Sequence, residues 1–187
     1  MSEMIQLAIS EGKTSMDGAI DHLKSELTKV RTGKASTSLV KDIMVDYYGN
    51  PTPLAQVANL GTPDSKTISI QAWEKSLLPA IEQAIFASNI GLTPMNDGEF
   101  IRISIPPMTE ERRLEMVKKA KALGEEAKVS LRNERQKIMQ VIKSEVKEGF
   151  PEDEGKKTEG SVESVVKAFV DNINKLVDAK EVDIMKV

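Results

Sequence analysis

The chain has 187 residues, no cysteine, a net charge of −3 and few aromatic residues, which suits one or two domains with an aliphatic core. The absence of cysteine excludes disulfides, thiolate metal sites and a cysteine nucleophile. No apolar run reaches the length of a membrane span, and the N-terminus lacks a basic region followed by an apolar stretch, so we expect a cytoplasmic protein without a membrane partner.

The first 30 residues predict a helix over 3–30. Gly12 and Gly18 weaken its first half. Arg31 and Lys34 suit its C-terminal end, where cations meet the negative end of the helix dipole, and Gly33 suits a C-cap. The apolar positions at helical spacing are Leu7, Ile20, Leu23, Leu27 and Val30, with Met4 and Met16 near the same face.

From Leu39 onwards the apolar period changes to two, which is typical of strands. In chain order the pattern first predicts a strand over 43–48, a turn over 49–53, a short strand or irregular edge over 54–60, a turn over 61–64 and a strand over 67–71. It then predicts a helix over 74–88, a hairpin turn at Asn96-Asp97-Gly98 and a strand over 100–105. One helix and about four strands are enough for a small sheet covered on one side.

The aromatic pair Tyr47-Tyr48 straddles the two faces of the first of these strands, so we expect one ring in the core and the other exposed. The single Trp73 is expected to pack at the start of the helix over 74–88.

Two further long helices follow. Thr109 is a suitable N-cap for a helix of about 40 residues that ends near Gly149 and spans about 60 Å, a length that needs partner helices. Pro151 begins a third helix, whose first stretch Gly155 and Gly160 are expected to fray.

Together these elements predict an α+β protein in which an elongated three-helix bundle carries an inserted small β/α/β domain. The bundle is expected to comprise 1–30 and 107–187, and the insert 31–106. The chain passes between them twice, so we predict a hinge at 31–36 and 104–108. Its residues are Arg31, Thr32, Gly33, Lys34, Pro106 and Pro107.

The second long helix is the candidate binding element. Residues 109–148 carry 11 basic and 8 acidic side chains, whereas residues 149–187 carry 6 and 9. At about 100° per residue, Lys121, Lys128, Arg132 and Arg135 fall on one flank of this helix, and we call these four residues the basic ridge. They lie beside an apolar stripe formed by Val117, Ala120, Gly124, Ala127, Leu131 and Ile138, opposite a flank with Glu126, Glu134 and Glu148.

Two interpretations of the basic ridge remain open. Its charges can simply edge a buried stripe, or they can contact the phosphates of folded RNA, with the two arginine forks three residues apart. Because few exposed aromatics are available for stacking, such recognition would depend on shape and backbone.

Motifs for catalysis and cofactor binding are missing. Gly33-Lys34 lacks the upstream glycine of a phosphate-binding loop and follows a helix. His22, four residues before Glu26, has no second histidine to complete a metal site and is better explained as a solvated side chain. We therefore expect no enzyme activity, metal or cofactor.

Several motifs in register resemble the ribosome recycling factor family, over essentially the whole chain. They are Arg31-Thr32-Gly33-Lys34-Ala35-Ser36, Tyr47-Tyr48-Gly49-Asn50-Pro51-Thr52-Pro53-Leu54, Pro106-Pro107-Met108-Thr109-Glu110-Glu111-Arg112-Arg113 and Arg132-Asn133-Glu134-Arg135.

The resemblance implies an L-shaped, two-domain monomer of roughly tRNA-like outline. The family binds the post-termination ribosome at the subunit interface, through contacts of the bundle to the rRNA (23S-type) of the large subunit. With elongation factor G and its GTP hydrolysis it splits the subunits. By this resemblance Arg132 and Arg135 would be the principal rRNA contacts, with Arg31 also on the binding side near the hinge.

This chain departs from the family pattern at two hinge positions. Lys34 stands where the family commonly has arginine, which keeps the charge but loses the fork. Thr37 stands where it commonly has proline, which is expected to loosen the first connection.

Two hypotheses of different classes follow from these observations. The first is an RNA-binding translation factor without an active site of its own. The second is a helical-bundle adaptor that binds only proteins.

Overall fold

The structure, a computed structural model, describes residues 2–186. The chain forms two compact units: one joins the stretch up to Val30 with the stretch from Glu111 onwards, and the other spans Arg31–Glu110. The three long helices belong to one unit, and both sheets and a short helix belong to the other, which confirms the predicted fold class.

Within the described residues there are four α-helices and six strands. The helices are α1 (Glu3–Lys29), α2 (Leu78–Ala87), α3 (Glu110–Lys147) and α4 (Glu152–Met185). The strands are β1 (Met44–Tyr47), β2 (Asn50–Pro53), β3 (Ala58–Asp64), β4 (Thr67–Ala72), β5 (Pro94–Asn96) and β6 (Ile101–Ser104). Short 3-10 helices cover Thr37–Leu39, Leu54–Gln56 and Lys75–Leu77.

The first unit is a bundle of α1, α3 and α4 around one aliphatic core. On α1 the predicted apolar face is partly wrong, because Met4 and Leu7 are more than half exposed while Ile5 is fully buried. The buried stripe of α3 contains all six predicted residues, joined by Ile142.

Three glycines allow the bundle helices to approach closely. An added methyl group at Gly12 would lie 2.6 Å from Ile138 Cδ1, and one at Gly124 would lie 2.7 Å from Val177 Cγ2. At Gly155 it would lie 2.8 Å from a methyl group of Val146. The prediction that Gly155 and Gly160 fray the last helix is wrong: α4 continues through both, because Gly155 is buried against α3.

The end of α4 is held by a side chain of α3. Arg113 Nη1 donates hydrogen bonds to the carbonyl oxygens of Ile184 at 3.1 Å and Lys186 at 2.9 Å. Carbonyl groups in the last turn of a helix lack partners within the helix and carry its negative partial charge, so a guanidinium satisfies both needs.

The second unit contains two antiparallel sheets rather than the one sheet predicted. β1 and β2 form a hairpin, and the other strands form a four-stranded sheet in the order β3-β4-β6-β5. Cross-strand pairs Ile68↔Ile103 and Ile70↔Ile101 lie at its centre, and all four side chains are fully buried. The predicted hairpin at Asn96-Asp97-Gly98 joins β5 to β6 and is confirmed.

Two predicted turns are wrong. Residues 49–53 contain β2, residues 61–64 belong to β3, and the predicted strand or edge over 54–60 begins as a 3-10 helix. Prolines suggested turns there, yet β2 and β3 are edge strands, where a missing amide donor breaks no ladder.

The helix predicted over 74–88 consists of a 3-10 turn followed by α2. Its residues Leu78, Ile81 and Ile85 are buried in the same core as the sheet. Trp73, expected to pack at the start of this helix, is instead 70% exposed. Phe86 is also exposed, because it lies on the outer face of α2.

Candidate RNA-binding surface

The basic ridge lies along the flank of α3 beside its buried stripe. Leu131 and Ile138 hold this helix in the bundle core, with at most 2% of each side chain exposed. Arg132 directly follows Leu131 and is exposed. The helical pattern therefore places all four ridge residues on one helix, as predicted from sequence, with their backbone fixed by core packing.

Three of the four ridge cations pair with carboxylates. Arg135 Nη2 lies 2.7 Å from Glu163 Oε1 of α4. The remaining pairs are Lys121 with Glu181 of α4 at 3.4 Å and Lys128 with Glu125 one turn earlier at 3.2 Å.

These pairs do not neutralise the ridge permanently. Except for Lys128, whose side chain is 22% exposed, each paired cation keeps more than 40% of its side chain exposed. Exposed pairs of this kind typically contribute about 0–1 kcal/mol, so an oxygen-rich polyanion can displace the carboxylates.

Arg132 differs from the other three ridge residues. Among the residues that the structure describes, it has no ion-pair or hydrogen-bond partner for its side chain, although Arg135 lies three residues away. Within the described residues nothing engages the five N–H donors of its planar guanidinium, which suit a bidentate acceptor such as a phosphate. Arg132 is therefore the ridge residue that breaks the fewest existing contacts on binding an anion.

The opposite flank of α3 has a different character. Glu134 pairs with Lys137 at 2.7 Å, so a cation on that flank is engaged with its own helix. The ridge, in contrast, consists of four basic side chains, of which Arg132 is exposed and has no ion pair among the described residues.

Arg31 lies in the other unit and has another environment. Its guanidinium donates a hydrogen bond to the carbonyl oxygen of Ile90, next to Gly91 in the loop after α2. Part of its fork is thus used in holding this loop, and the rest stays exposed.

The two chain connections of the second unit are bound to one turn. Ala35 N donates to Ser65 O at 2.8 Å, and Ile105 N donates to Lys66 O at 2.7 Å. Asp64 Oδ1 accepts a hydrogen bond from Lys66 N at 2.8 Å, and that backbone bond lowers the pKa of the Asp64 carboxyl. The turn between β3 and β4 therefore clamps both connections side by side.

Sequence reasoning found the ridge but missed its partners. Glu163 and Glu181 lie on a different helix from the cations they contact, so no local spacing signals the pairs. Glu74, which accepts hydrogen bonds from both Tyr47 and Tyr48, was missed for the same reason. The two tyrosines behave as expected, with Tyr47 partly buried and Tyr48 exposed.

Neither a metal-binding group nor a membrane-spanning helix is found in residues 2–186. No group of three or more histidine, cysteine, aspartate and glutamate side chains is arranged to hold a metal ion there, and His22 is exposed. No helix in the same part of the chain combines the length and apolarity needed to cross a membrane.

Comparisons with known proteins agree with the resemblance seen in the motifs. The family model described as ribosome recycling factor matches residues 23–185. A ribosome-recycling factor of Flavobacterium psychrophilum is 46% identical over 187 residues and covers 100% of both chains.

Two solved structures are also similar over 100% of both chains. A solution structure of a ribosome recycling factor has a TM-score of 0.83 at 38% identity. A structure of the T. thermophilus ribosome recycling factor and E. coli elongation factor G bound to the E. coli post-termination complex has a TM-score of 0.68 at 34% identity.

Solved structures of translation factors match the chain over its full length, which places it in the translation-factor class. Within that class, the ribosome recycling factor model matches residues 23–185, and a relative matches the whole chain. This chain belongs to the ribosome recycling factor family.

Proposed function

We propose that this chain acts in the cytoplasm as a ribosome recycling factor that binds large-subunit rRNA of the 23S type. With elongation factor G and its GTP hydrolysis, it dissociates the post-termination ribosome into subunits. The observation that carries the RNA-binding step is the basic ridge on α3, with Arg132 free and exposed beside a buried stripe. The relative bound with elongation factor G on a post-termination complex supports the partner assignment.

The bundle is the docking unit in this mechanism. Lys121, Lys128 and Arg135 exchange their carboxylate partners for phosphates, and Arg132 binds phosphate without such an exchange. These contacts release condensed counterions and make binding salt-dependent. Arg31, bonded to Ile90, is a further contact at the margin of the second unit.

The second unit receives force from the GTPase and moves about the two connections. Ala35 and Ile105 are hydrogen-bonded to one turn of that unit, which favours flexible residues nearer the bundle. We propose that bending occurs within the predicted hinge at Arg31, Thr32, Gly33 and Lys34 on one connection, and at Pro106 and Pro107 on the other. The energy comes from the GTPase.

The docking step is tested by the salt dependence of binding to isolated large ribosomal subunits. Arg132→Ala combined with Arg135→Ala should weaken binding and reduce the slope of log affinity against log salt by about one for each phosphate that is no longer bound. Lys137→Ala is the matched control, because it removes a cation from the other flank of the same helix. If the double variant binds like the control at every salt concentration, the ridge is not the RNA site.

The recycling step is tested with purified ribosomes, elongation factor G and GTP. The parent chain should split the subunits, and a cross-link that locks the second unit to the bundle should preserve docking while blocking splitting. Undiminished splitting by the locked protein would rule out the hinge mechanism. A parent chain that binds no large subunit would instead favour a protein-only adaptor.

A further inference from the structure

Tyr47, Tyr48 and Glu74 form a surface group that we call the Tyr–Glu cluster. Tyr48 Oη donates to Glu74 Oε2 at 2.8 Å, and Tyr47 Oη donates to Glu74 Oε1 at 3.3 Å. The two rings meet edge to face with centroids 4.8 Å apart. One carboxylate therefore fixes two aromatic rings on the outside of the second unit.

The backbone at Tyr48 is unusual for such a large side chain. Tyr47 pairs with Asn50 across the β1–β2 hairpin, so Tyr48 and Gly49 form a two-residue turn, and both have positive φ, 49° and 84°. Such turns favour asparagine, aspartate or glycine at the position of Tyr48. Tyr48 is nevertheless 73% exposed, so burial of its ring does not offset the strain of its backbone.

Glu74 is a partly buried carboxylate without a cation. Among residues 2–186 it has only the two phenol hydroxyls as side-chain partners, whereas Asp97 and Glu99 of the same unit pair with Arg102 and Lys75. Hydroxyl donors leave the full negative charge in place, so the site attracts a positive group.

We infer that the Tyr–Glu cluster is a docking surface for an arginine side chain presented by a partner protein. A guanidinium stacks its plane on an exposed aromatic ring and donates to a carboxylate through its fork at the same time. A lysine ammonium is a point charge without a plane or a fork, and an apolar side chain donates no hydrogen bond. Tyrosine and arginine are also the residue types that dominate binding energy at protein interfaces.

The same charge argues against RNA as the occupant. Base stacking on Tyr48 would bring phosphates close to Glu74, and residues 31–108 carry 7 acidic against 6 basic side chains. Like-charge contacts of this kind weaken association. Under the proposed function, on which this step rests, the arginine-bearing protein is elongation factor G.

The test uses the full chain with ribosomes, GTP and a concentration series of elongation factor G. Glu74→Gln removes the charge but keeps an oxygen that accepts from Tyr48, and Glu82→Gln of α2 is the matched control for charge loss in the same unit. We expect Glu74→Gln to raise the concentration of elongation factor G for half-maximal splitting about tenfold, with Glu82→Gln unchanged.

Tyr48 provides a second, independent arm. Tyr48→Phe keeps the ring, whereas Tyr48→Ala removes the stacking surface. Tyr48→Phe should therefore raise the concentration of elongation factor G for half-maximal splitting less than Tyr48→Ala does. Binding to isolated large subunits should stay at the parent value for every variant. Thermal unfolding verifies that each variant is folded.

The outcomes separate the hypotheses. If the parent splits subunits and Glu74→Gln performs like Glu82→Gln, the docking surface is refuted while the proposed function stands. If Tyr48→Ala weakens and Glu74→Gln strengthens binding to naked large subunits, the surface stacks on RNA instead. A parent without splitting activity refutes the proposed function and, with it, the assigned partner.

Discussion

Arg135 donates a hydrogen bond from Nη2 to Glu163 Oε1 at 2.7 Å, which joins α3 to α4 at the edge of the basic ridge. Arg132, one turn earlier on α3, has no such partner among the described residues. Under the proposed function, phosphate would have to displace Glu163 from Arg135, whereas Arg132 would need no such displacement. This asymmetry leads to a prediction that distinguishes the paired arginine from the free one.

We predict that Glu163→Gln strengthens binding to large ribosomal subunits by up to about fivefold at low salt, since exposed pairs contribute about 0.2–1 kcal/mol. The substitution replaces the charged acceptor of Arg135 by a neutral one, which weakens the contact, and removes a negative charge beside the basic ridge. Titration of labelled protein with large subunits measures the change in affinity.

Glu126→Gln is the control for the previous prediction, because it makes the same charge change at an exposed position on the opposite flank of α3. An equal gain in both variants would mean that net charge alone controls binding. The ridge would then have no specific geometry.

Gly124 and Gly18 provide a paired test of helix packing in the bundle. An added methyl at Gly124 would lie 2.7 Å from Val177 Cγ2, whereas Gly18 has nothing within 4 Å. We predict that Gly124→Ala lowers the free energy of unfolding by about 1–3 kcal/mol through overpacking. Gly18→Ala should raise it by about 0.5–1 kcal/mol, because alanine has the better helix propensity.

Urea unfolding followed by helical circular dichroism measures both variants. The two alanines differ in their surroundings and share their chemistry, so their opposite signs isolate the packing contact. A Gly124→Ala variant as stable as the parent would show that α3 and α4 can separate at little cost.

Sequence patterns predicted the helices well, because core packing and helical period act together over many residues. The stripe containing Leu131 and Ile138 is buried as expected, and the ridge follows from the same angles. The contact between Arg135 and Glu163 joins residues 28 apart on different helices, so only tertiary structure reveals it.

Prolines caused the main errors in the second unit. Pro51, Pro53 and Pro63 suggested turns, yet they lie in β2 and β3 at sheet edges. An edge strand tolerates a missing N–H donor, so a proline is compatible with an edge strand as well as with a turn. Local propensity does not distinguish the two. The distinction requires the strand order, which the local pattern does not contain.

The first connection of the second unit offers a matched pair of proline substitutions. Ser36 has φ −144° and ψ 134°, which suits a residue before proline, and Thr37 is the first residue of a 3-10 helix. We predict that Thr37→Pro stabilises the protein by about 0.4–1 kcal/mol by restricting the unfolded chain. Ala35→Pro should destabilise it by about 1 kcal/mol or more, because it removes the donor to Ser65 O.

Thermal unfolding ranks the two proline variants, and hydrogen exchange locates the effect. In Ala35→Pro the amide of Ile105 should exchange faster, since it is bonded to the same turn at Lys66 O. Equal melting temperatures and equal exchange at Ile105 in both variants would show that the turn does not clamp the connections.

Tyr48 is expected to report on the Tyr–Glu cluster through its titration. The hydrogen bond to Glu74, followed by the negative charge of that carboxylate, raises the pKa of Tyr48 above its ordinary value of 10.0. The folded chain thus keeps this proton at a pH where the unfolded chain has lost it. The contribution of protonated Tyr48 to the stability of the folded chain is complete below pH 10.0, and it is lost as pH rises through the folded-state pKa of Tyr48.

Tyrosinate absorbance during an alkaline titration measures this shift, with Tyr48→Phe identifying the contribution of Tyr48. Glu74→Gln should return the titration of Tyr48 toward its ordinary range, because both the charge and the charged acceptor are removed. Glu82→Gln should leave it unchanged. If Tyr48 titrates alike in the parent and in Glu74→Gln, the hydroxyl does not bind Glu74 in solution, and the ring is not held in place for a partner.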